Sequence, residues 1–143
     1  MEKVVFICRG NIFRSQIAKA LYNKMAKDGS FAESYGVAVE AEGREGDLLS
    51  GDKILAEFPG FITYFEVMKN IGMDISSEHC LQIRPEFLKD AKKIIMMAEK
   101  DFIPDWLNEY KYEYWEIPNP SNVTAKITED VIALLKEKIL KII

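Results

Sequence analysis

Short apolar runs alternate with amphipathic stretches along the whole chain. Lys3 to Ile7 is a β-branched and aromatic run suited to a buried strand, and Ile17, Leu21 and Met25 then recur every four residues, the spacing of one helix face. The alternation continues. Ser34 to Val39 reads as a second strand, Phe61 to Ile71 as a helix stopped by Gly72, Lys92 to Met97 as a third strand, and Tyr112 to Ile117 as a fourth that ends at Pro118. A final helix follows, with Thr128 as its expected cap, Glu129 and Asp130 in its first turn, and Val131, Leu134, Leu135 and Ile139 facing inward. Strands separated by helices predict an α/β fold with a parallel sheet. Ligands of such sheets bind at the carboxyl ends of the strands.

Composition narrows the classes. The 143 residues, 48% hydrophobic and 29% charged, have globular proportions without a repeat or low-complexity tract, so a single domain over residues 1–143 is expected. A net charge of -4 argues against a protein that coats nucleic acid, while leaving room for a local basic pocket. Two cysteines are too few for a disulfide framework, and the N-terminus lacks the apolar segment of a signal peptide, so the expectation is a cytoplasmic protein with no membrane partner. Asn122-Val123-Thr124 has the form of a glycosylation sequon and reads as an ordinary polar loop.

The chemistry concentrates at "CRGNIFRS", Cys8 to Ser15, where the first strand turns into the first helix. Backbone N–H groups of such a turn converge as an anion-binding nest at a helix N-terminus. Gly10 permits close backbone approach, and Asn11 tolerates the left-handed conformation of a tight loop. Arg14 adds a planar fork able to grip two oxygens of a tetrahedral oxyanion, so a phosphate or sulfate would fit. The same positive field favours the thiolate of Cys8. Alone, Cys8 reads as a small buried hydrophobe, and Arg9 and Arg14 as surface charges. The spacing C-x5-R-S with Gly and Asn inside it combines several independent requirements and favours the functional reading.

The run "VVFICRGNIFRSQIAKAL" resembles the signature of the low-molecular-weight protein tyrosine phosphatases and the related thioredoxin-coupled arsenate reductases, and weaker similarity extends through "IGMDISSEH" and "WEIPNPSN". The resemblance implies a three-layer sandwich, a four-stranded parallel sheet flanked by helices with its phosphate-binding loop after the first strand. It also implies hydrolysis of phosphorylated proteins or small aryl phosphates through a cysteinyl-phosphate, without metal or other cofactor. By that carry-over Cys8 is the nucleophile. Arg9, Gly10, Asn11, Ile12, Phe13, Arg14 and Ser15 form the phosphate loop, with Arg14 on the equatorial oxygens, Asn11 shaping the loop and the Ser15 hydroxyl supporting the thiolate.

Departures from that pattern matter as much. The family's Asp-Pro pair, whose acid protonates the leaving oxygen, is Asn119-Pro120 here. An amide donates no acidic proton, and losing positioned acid catalysis costs ~10²–10⁴-fold in rate. Glu116 and Asp101 are the candidate substitutes, with a solvated strand-end charge the plainer reading of Glu116. Ser121 and Asn122 stand where many relatives carry aromatic residues that wall a phosphotyrosine ring, so no ring wall is evident. Ile12 matches the tyrosine-directed members, whereas phosphoarginine-directed relatives carry threonine there. Phe13 replaces a second cysteine that protects the nucleophile in many relatives.

Two alternatives stay open: an arsenate reductase, and a binding module that captures phosphate or a phosphoprotein without turnover. The first needs resolving thiols, and Cys80 does not match the relay segment, so it reads as a buried small residue. His79, the sole histidine, has no metal-ligand partner at suitable spacing and reads as structural. Asp101 to Pro118 reads as a short helix and an amphipathic strand with Trp106, Leu107 and Trp115 in the core, and Glu40 to Ser50 as a flexible loop at the pocket rim.

Overall fold

Backbone pairing organises the chain around β1. The computed structural model describes residues 2–41 and 60–143, so the stretch read as a rim loop lies, from residue 42 onward, outside the described residues. Strands β1 (Lys3–Cys8), β2 (Phe31–Gly36), β3 (Ala91–Met96) and β4 (Glu113–Tyr114) form one parallel sheet in the order β2-β1-β3-β4. Among the described residues three α-helices accompany them: α1 (Arg14–Met25), α2 (Ile62–Asn70) and α3 (Ala125–Leu140). The α/β architecture is the expected one.

Alternation along the strands divides the core. Val4, Phe6 and Cys8 point to the face that receives Ile17 and Leu21 of α1, Tyr64 and Met68 of α2, and Leu135 and Ile139 of α3. Val5 and Ile7 point the other way, against Tyr35, Ile94, Met96, Leu88 and Leu107. Helices α1, α2 and α3 therefore cover one face. Short 3-10 turns at Pro85–Leu88 and Asp105–Glu109 help close the other, so among the described residues the third layer is made of turns. Burial on both faces explains why β1 and β3 read as near-continuous apolar runs at their carboxyl ends. From β1 the chain passes to β2 on one side and later to β3 on the other, which leaves a crevice at the carboxyl ends of β1 and β3.

Element limits shift where long-range pairing overrides local pattern. β2 begins at Phe31, three residues before the expected start, because its register against β1 runs from Lys3↔Phe31 to Cys8↔Gly36. Val37 and Ala38 lie beyond the strand yet still donate to Cys8 O and Arg9 O at 2.9 Å, tying β2 to the loop after β1. β4 keeps two residues of the expected six, since the chain leaves the ladder after Trp115 N donates to Met96 O. The helix expected between Asp101 and Pro118 is a pair of 3-10 turns instead, with Leu107 and Trp115 buried and Trp106 partly so. Gly72, with φ +88°, ends α2 as expected.

The cap of α3 is Thr124, not Thr128. Thr124 Oγ1 accepts from Ile127 N at 3.2 Å, while Thr128 is buried one turn inside the helix and donates its hydroxyl to Thr124 O at 2.8 Å. Glu129 and Asp130 consequently sit past the first turn. Thr124→Ala should lower the unfolding free energy by ~1 kcal/mol in a denaturant melt. An unchanged midpoint would contradict the cap.

Candidate active site

The loop between β1 and α1 is shaped by one asparagine. Asn11 has φ 55°, the only positive value at a non-glycine position among the described residues, and its side chain is tied on every valence. Nδ2 donates to Ser15 Oγ at 2.7 Å and Ser34 Oγ at 3.0 Å, and Oδ1 accepts from Leu81 N at 2.9 Å and Gln16 Nε2 at 3.3 Å. These bonds offset the cost of the left-handed backbone, ~1–2 kcal/mol. Gly36 permits the loop to lie against β2: a Cβ there would stand 2.7 Å from Arg9 O and 2.9 Å from Asn11 N.

The network converges on the sulfur of Cys8. Asn11 N donates to Sγ at 3.3 Å, and Ser15 Oγ lies 3.0 Å from Sγ. Because Ser15 Oγ already accepts from Asn11, its own proton is available to the sulfur. Two donors thus meet one sulfur. Beside it α1 begins at Arg14 with no side-chain cap and no acidic residue in its first turn, so its opening amides and their partial positive charge remain for an anion.

Arg14 is 3% exposed and held from three directions. Nη1 donates to Met97 O at 2.7 Å and Ile117 O at 3.4 Å, and Nη2 to Glu99 Oε1 at 2.9 Å. Of the five guanidinium N–H donors, these bonds leave Nε–H and one Nη2–H, a pair able to bind an oxyanion bidentately. Glu99 is the organising carboxylate. Its Oε2 lies 3.7 Å from Arg9 Nη1 and accepts from Asn119 Nδ2 at 3.4 Å. Partial burial pushes its carboxyl up, but the Arg14 hydrogen bond and charge, with Arg9 behind them, hold it below the ordinary carboxylate range. Arg9 also stacks on the Phe102 ring at 3.8 Å and is therefore a braced member of the site.

Cys8, Arg9, Arg14 and Asn119 border a cavity of about 520 Å³. Of the residues expected there, Cys8, Arg9, Gly10, Ile12, Phe13, Arg14 and Asn119 line it. Asn11 and Ser15, counted in the phosphate loop with the roles of shaping it and supporting the thiolate, are fully buried and bond to the sulfur and to one another. Glu116 and Asp101, the candidate substitute acids, are exposed and do not line the cavity. Glu99, Phe61 and Val123 were not singled out by the sequence; Phe61 and Val123 are in the lining.

Cys80 is fully buried and does not line the cavity. It shares the α-helical core with Cys8 and Tyr64. The Tyr64 hydroxyl has no hydrogen-bond partner among the described residues, and burial first, then the Cys80 and Cys8 thiols, push its ionisation well above the ordinary range. Among the described residues no group of three or more His, Cys, Asp or Glu side chains could hold a metal ion, and no helix is long and apolar enough to cross a membrane.

No family model matches the sequence. A glutaredoxin arsenate reductase of Synechocystis is 24% identical over 144 residues, covering 97% of this chain and 94% of the relative. A low-molecular-weight protein tyrosine phosphatase from T. tengcongensis superposes with TM-score 0.69 at 22% identity, over 99% of this chain and 97% of that one. This chain has the fold of the low-molecular-weight phosphatases and arsenate reductases. A thioredoxin-dependent arsenate reductase of Corynebacterium glutamicum gives TM-score 0.66 at 22% identity, again over 99% of this chain, although the chain spans only 60% of that protein's length. The shared fold thus hosts two chemistries.

The depressed carboxyl of Glu99 has a pH signature. A group whose folded value lies below its unfolded value adds stability that is complete above the unfolded value and lost as pH falls through the folded one. Wild type should therefore be more stable than Glu99→Gln at neutral pH, with the difference shrinking only below about pH 4.3, the ordinary glutamate value. Unfolding measured across pH checks this. A constant difference down to strongly acid pH would remove the ion pair as its source.

Proposed function

We propose that this chain is a cysteine-dependent phosphatase that hydrolyses phosphate monoesters, with aryl esters such as phosphotyrosine foremost. The observation that carries the reading is the sulfur of Cys8, bonded by Ser15 and Asn11, on the wall of a cavity that also exposes the open edge of Arg14. A phosphoryl group held there has its oxygens on the loop amides and Arg14 and its phosphorus before the sulfur. Sγ forms a bond to phosphorus as the bond to the ester oxygen breaks, and that oxygen leaves with the electron pair. Water then attacks the cysteinyl-phosphate, gives up a proton, and releases inorganic phosphate and the thiolate. Positioning and charge stabilisation suffice for such a transfer without a metal.

Asn119 sets the limit on leaving groups. It lines the cavity where an acid would serve, and its amide donates to Glu99 instead. Glu99 itself is held ionised by two arginines, which suits it to anchoring Arg14 and not to giving up a proton. Esters with stable leaving groups are accordingly the substrates of choice, and alkyl phosphates poor ones.

The similarity to arsenate reductases favours a second reading, in which arsenate occupies the same cradle. Two observations weigh against it. Cys8 is the only thiol lining the cavity among the described residues, so the second reducing thiol would have to come from another molecule. A cavity of about 520 Å³ also falls in the ~300–1,000 Å³ range of sites for organic ligands, beyond the needs of a bare oxyanion. Capture without turnover, the binding-module alternative, shares the cradle and differs only in the fate of the ester.

Hydrolysis of p-nitrophenyl phosphate separates these readings. Turnover abolished by Cys8→Ser is the expected result; binding without turnover favours the module, and thiol-dependent arsenate reduction without hydrolysis favours the reductase. Asn119→Asp should raise the rate on phosphotyrosine by ~10²-fold or more, and far less on the activated ester. An equal gain on both would refute the role given to position 119.

A further inference from the structure

The cavity draws its lining from three segments. The one after β4 gives Asn119, Pro120, Ser121, Asn122 and Val123, with no aromatic ring among them. The loop after β1 adds Ile12 and Phe13, and the head of α2 adds Phe61, the residue that opens the helix. Phe61 is held by its neighbours: its ring lies 6.3 Å from that of Tyr64 at 74°, and 6.4 Å from that of Phe65. Tyr64, fully buried, meets Phe13 edge-on at 4.9 Å and so joins the cradle loop to the head of α2. Phe61 itself is only partly buried and reaches the cavity.

Resting on the phosphatase reading, we propose that Phe61 adds a binding preference for aryl phosphates to the leaving-group limit set by Asn119, with the substrate ring packed on Phe61 at the head of α2 instead of on residues 119–122. The chemistry of the lining supports this. Its charged members among the described residues are Arg9 and Arg14, both cationic, which match a phosphoryl group at one end of the substrate, while Phe61, Phe13 and Ile12 offer an uncharged surface to the other. Aromatic rings attract one another edge-to-face or offset at centroid separations of about 4.5–7 Å. A ring already fixed by Tyr64 and Phe65 loses little freedom when a substrate packs on it. The ring wall absent from Ser121 and Asn122 is thus supplied from a different element.

Phenylphosphonate, whose phosphorus–carbon bond is not hydrolysed, and inorganic phosphate test this by calorimetric titration of the full chain. Wild type should bind phenylphosphonate more tightly. Phe61→Ala should weaken phenylphosphonate about tenfold and leave phosphate unchanged, which also shows that the cradle remains folded. Phe61→Leu should retain part of the preference. A preference that persists in Phe61→Ala overturns the proposal, as does an equal weakening of both anions in both variants. Failure of wild type to bind either anion would overturn the phosphatase reading beneath it, and the wall with it.

Discussion

A guanidinium buried to 3% exposure must be compensated, and the compensation of Arg14 organises the carboxyl end of the sheet. Taking such an ion out of water costs several kcal/mol unless partners surround it. The partners come from three places in the chain: Met97 just past β3, Ile117 past β4, and Glu99 in the turn between them. The chain just beyond two neighbouring strands is gathered around one cation. The same bonds leave two N–H groups without an acceptor among the described residues, a pair that an oxyanion in the cavity would complete. In the function proposed here, fold stability and anion recognition draw on one group.

The sulfur depends on a second, smaller network. Asn11 accepts a strained backbone and in return spends every hydrogen-bonding valence on Ser15, Ser34, Gln16 and Leu81. Its position leaves the Ser15 proton to Cys8 and closes the loop against Gly36. Neither network touches Asn119 except through Glu99, so the geometry around Cys8 and Arg14 does not depend on an acid at position 119. That separation explains how one fold can serve ester hydrolysis, oxyanion reduction or capture: the grip on the oxyanion is built first, and the fate of the ligand is decided by what lines the rest of the cavity.

Local chemistry was legible in the sequence, and contacts across the chain were not. The strand, loop and helix from Lys3 to Met25 could be read because periodicity and the C-x5-R-S spacing are properties of neighbouring residues. The strands β1 and β3 announced themselves by apolar runs, since both of their faces are covered. Glu99 could not be found that way: it lies 85 residues from Arg14, and the one available signal was its place beyond the end of a strand in a parallel sheet. Phe61 was hidden in an aromatic run that fits a helix core equally well. Only packing shows that Tyr64 is buried while Phe61 reaches the cavity. The cap of α3 was misplaced for a related reason. Thr128 precedes two acids and looks like a cap, but the backbone becomes helical at Ala125 and buries it.

If Cys8 is the nucleophile of the proposed phosphatase, trapping a covalent intermediate shows it most directly. The chain is mixed with an activated aryl phosphate, quenched in acid within the first turnover, digested and examined by mass spectrometry. A single phosphoryl group on Cys8 is expected, reduced when inorganic phosphate competes for the cradle. A phosphoryl group on another residue, or hydrolysis that proceeds with no adduct at the sulfur, would contradict it.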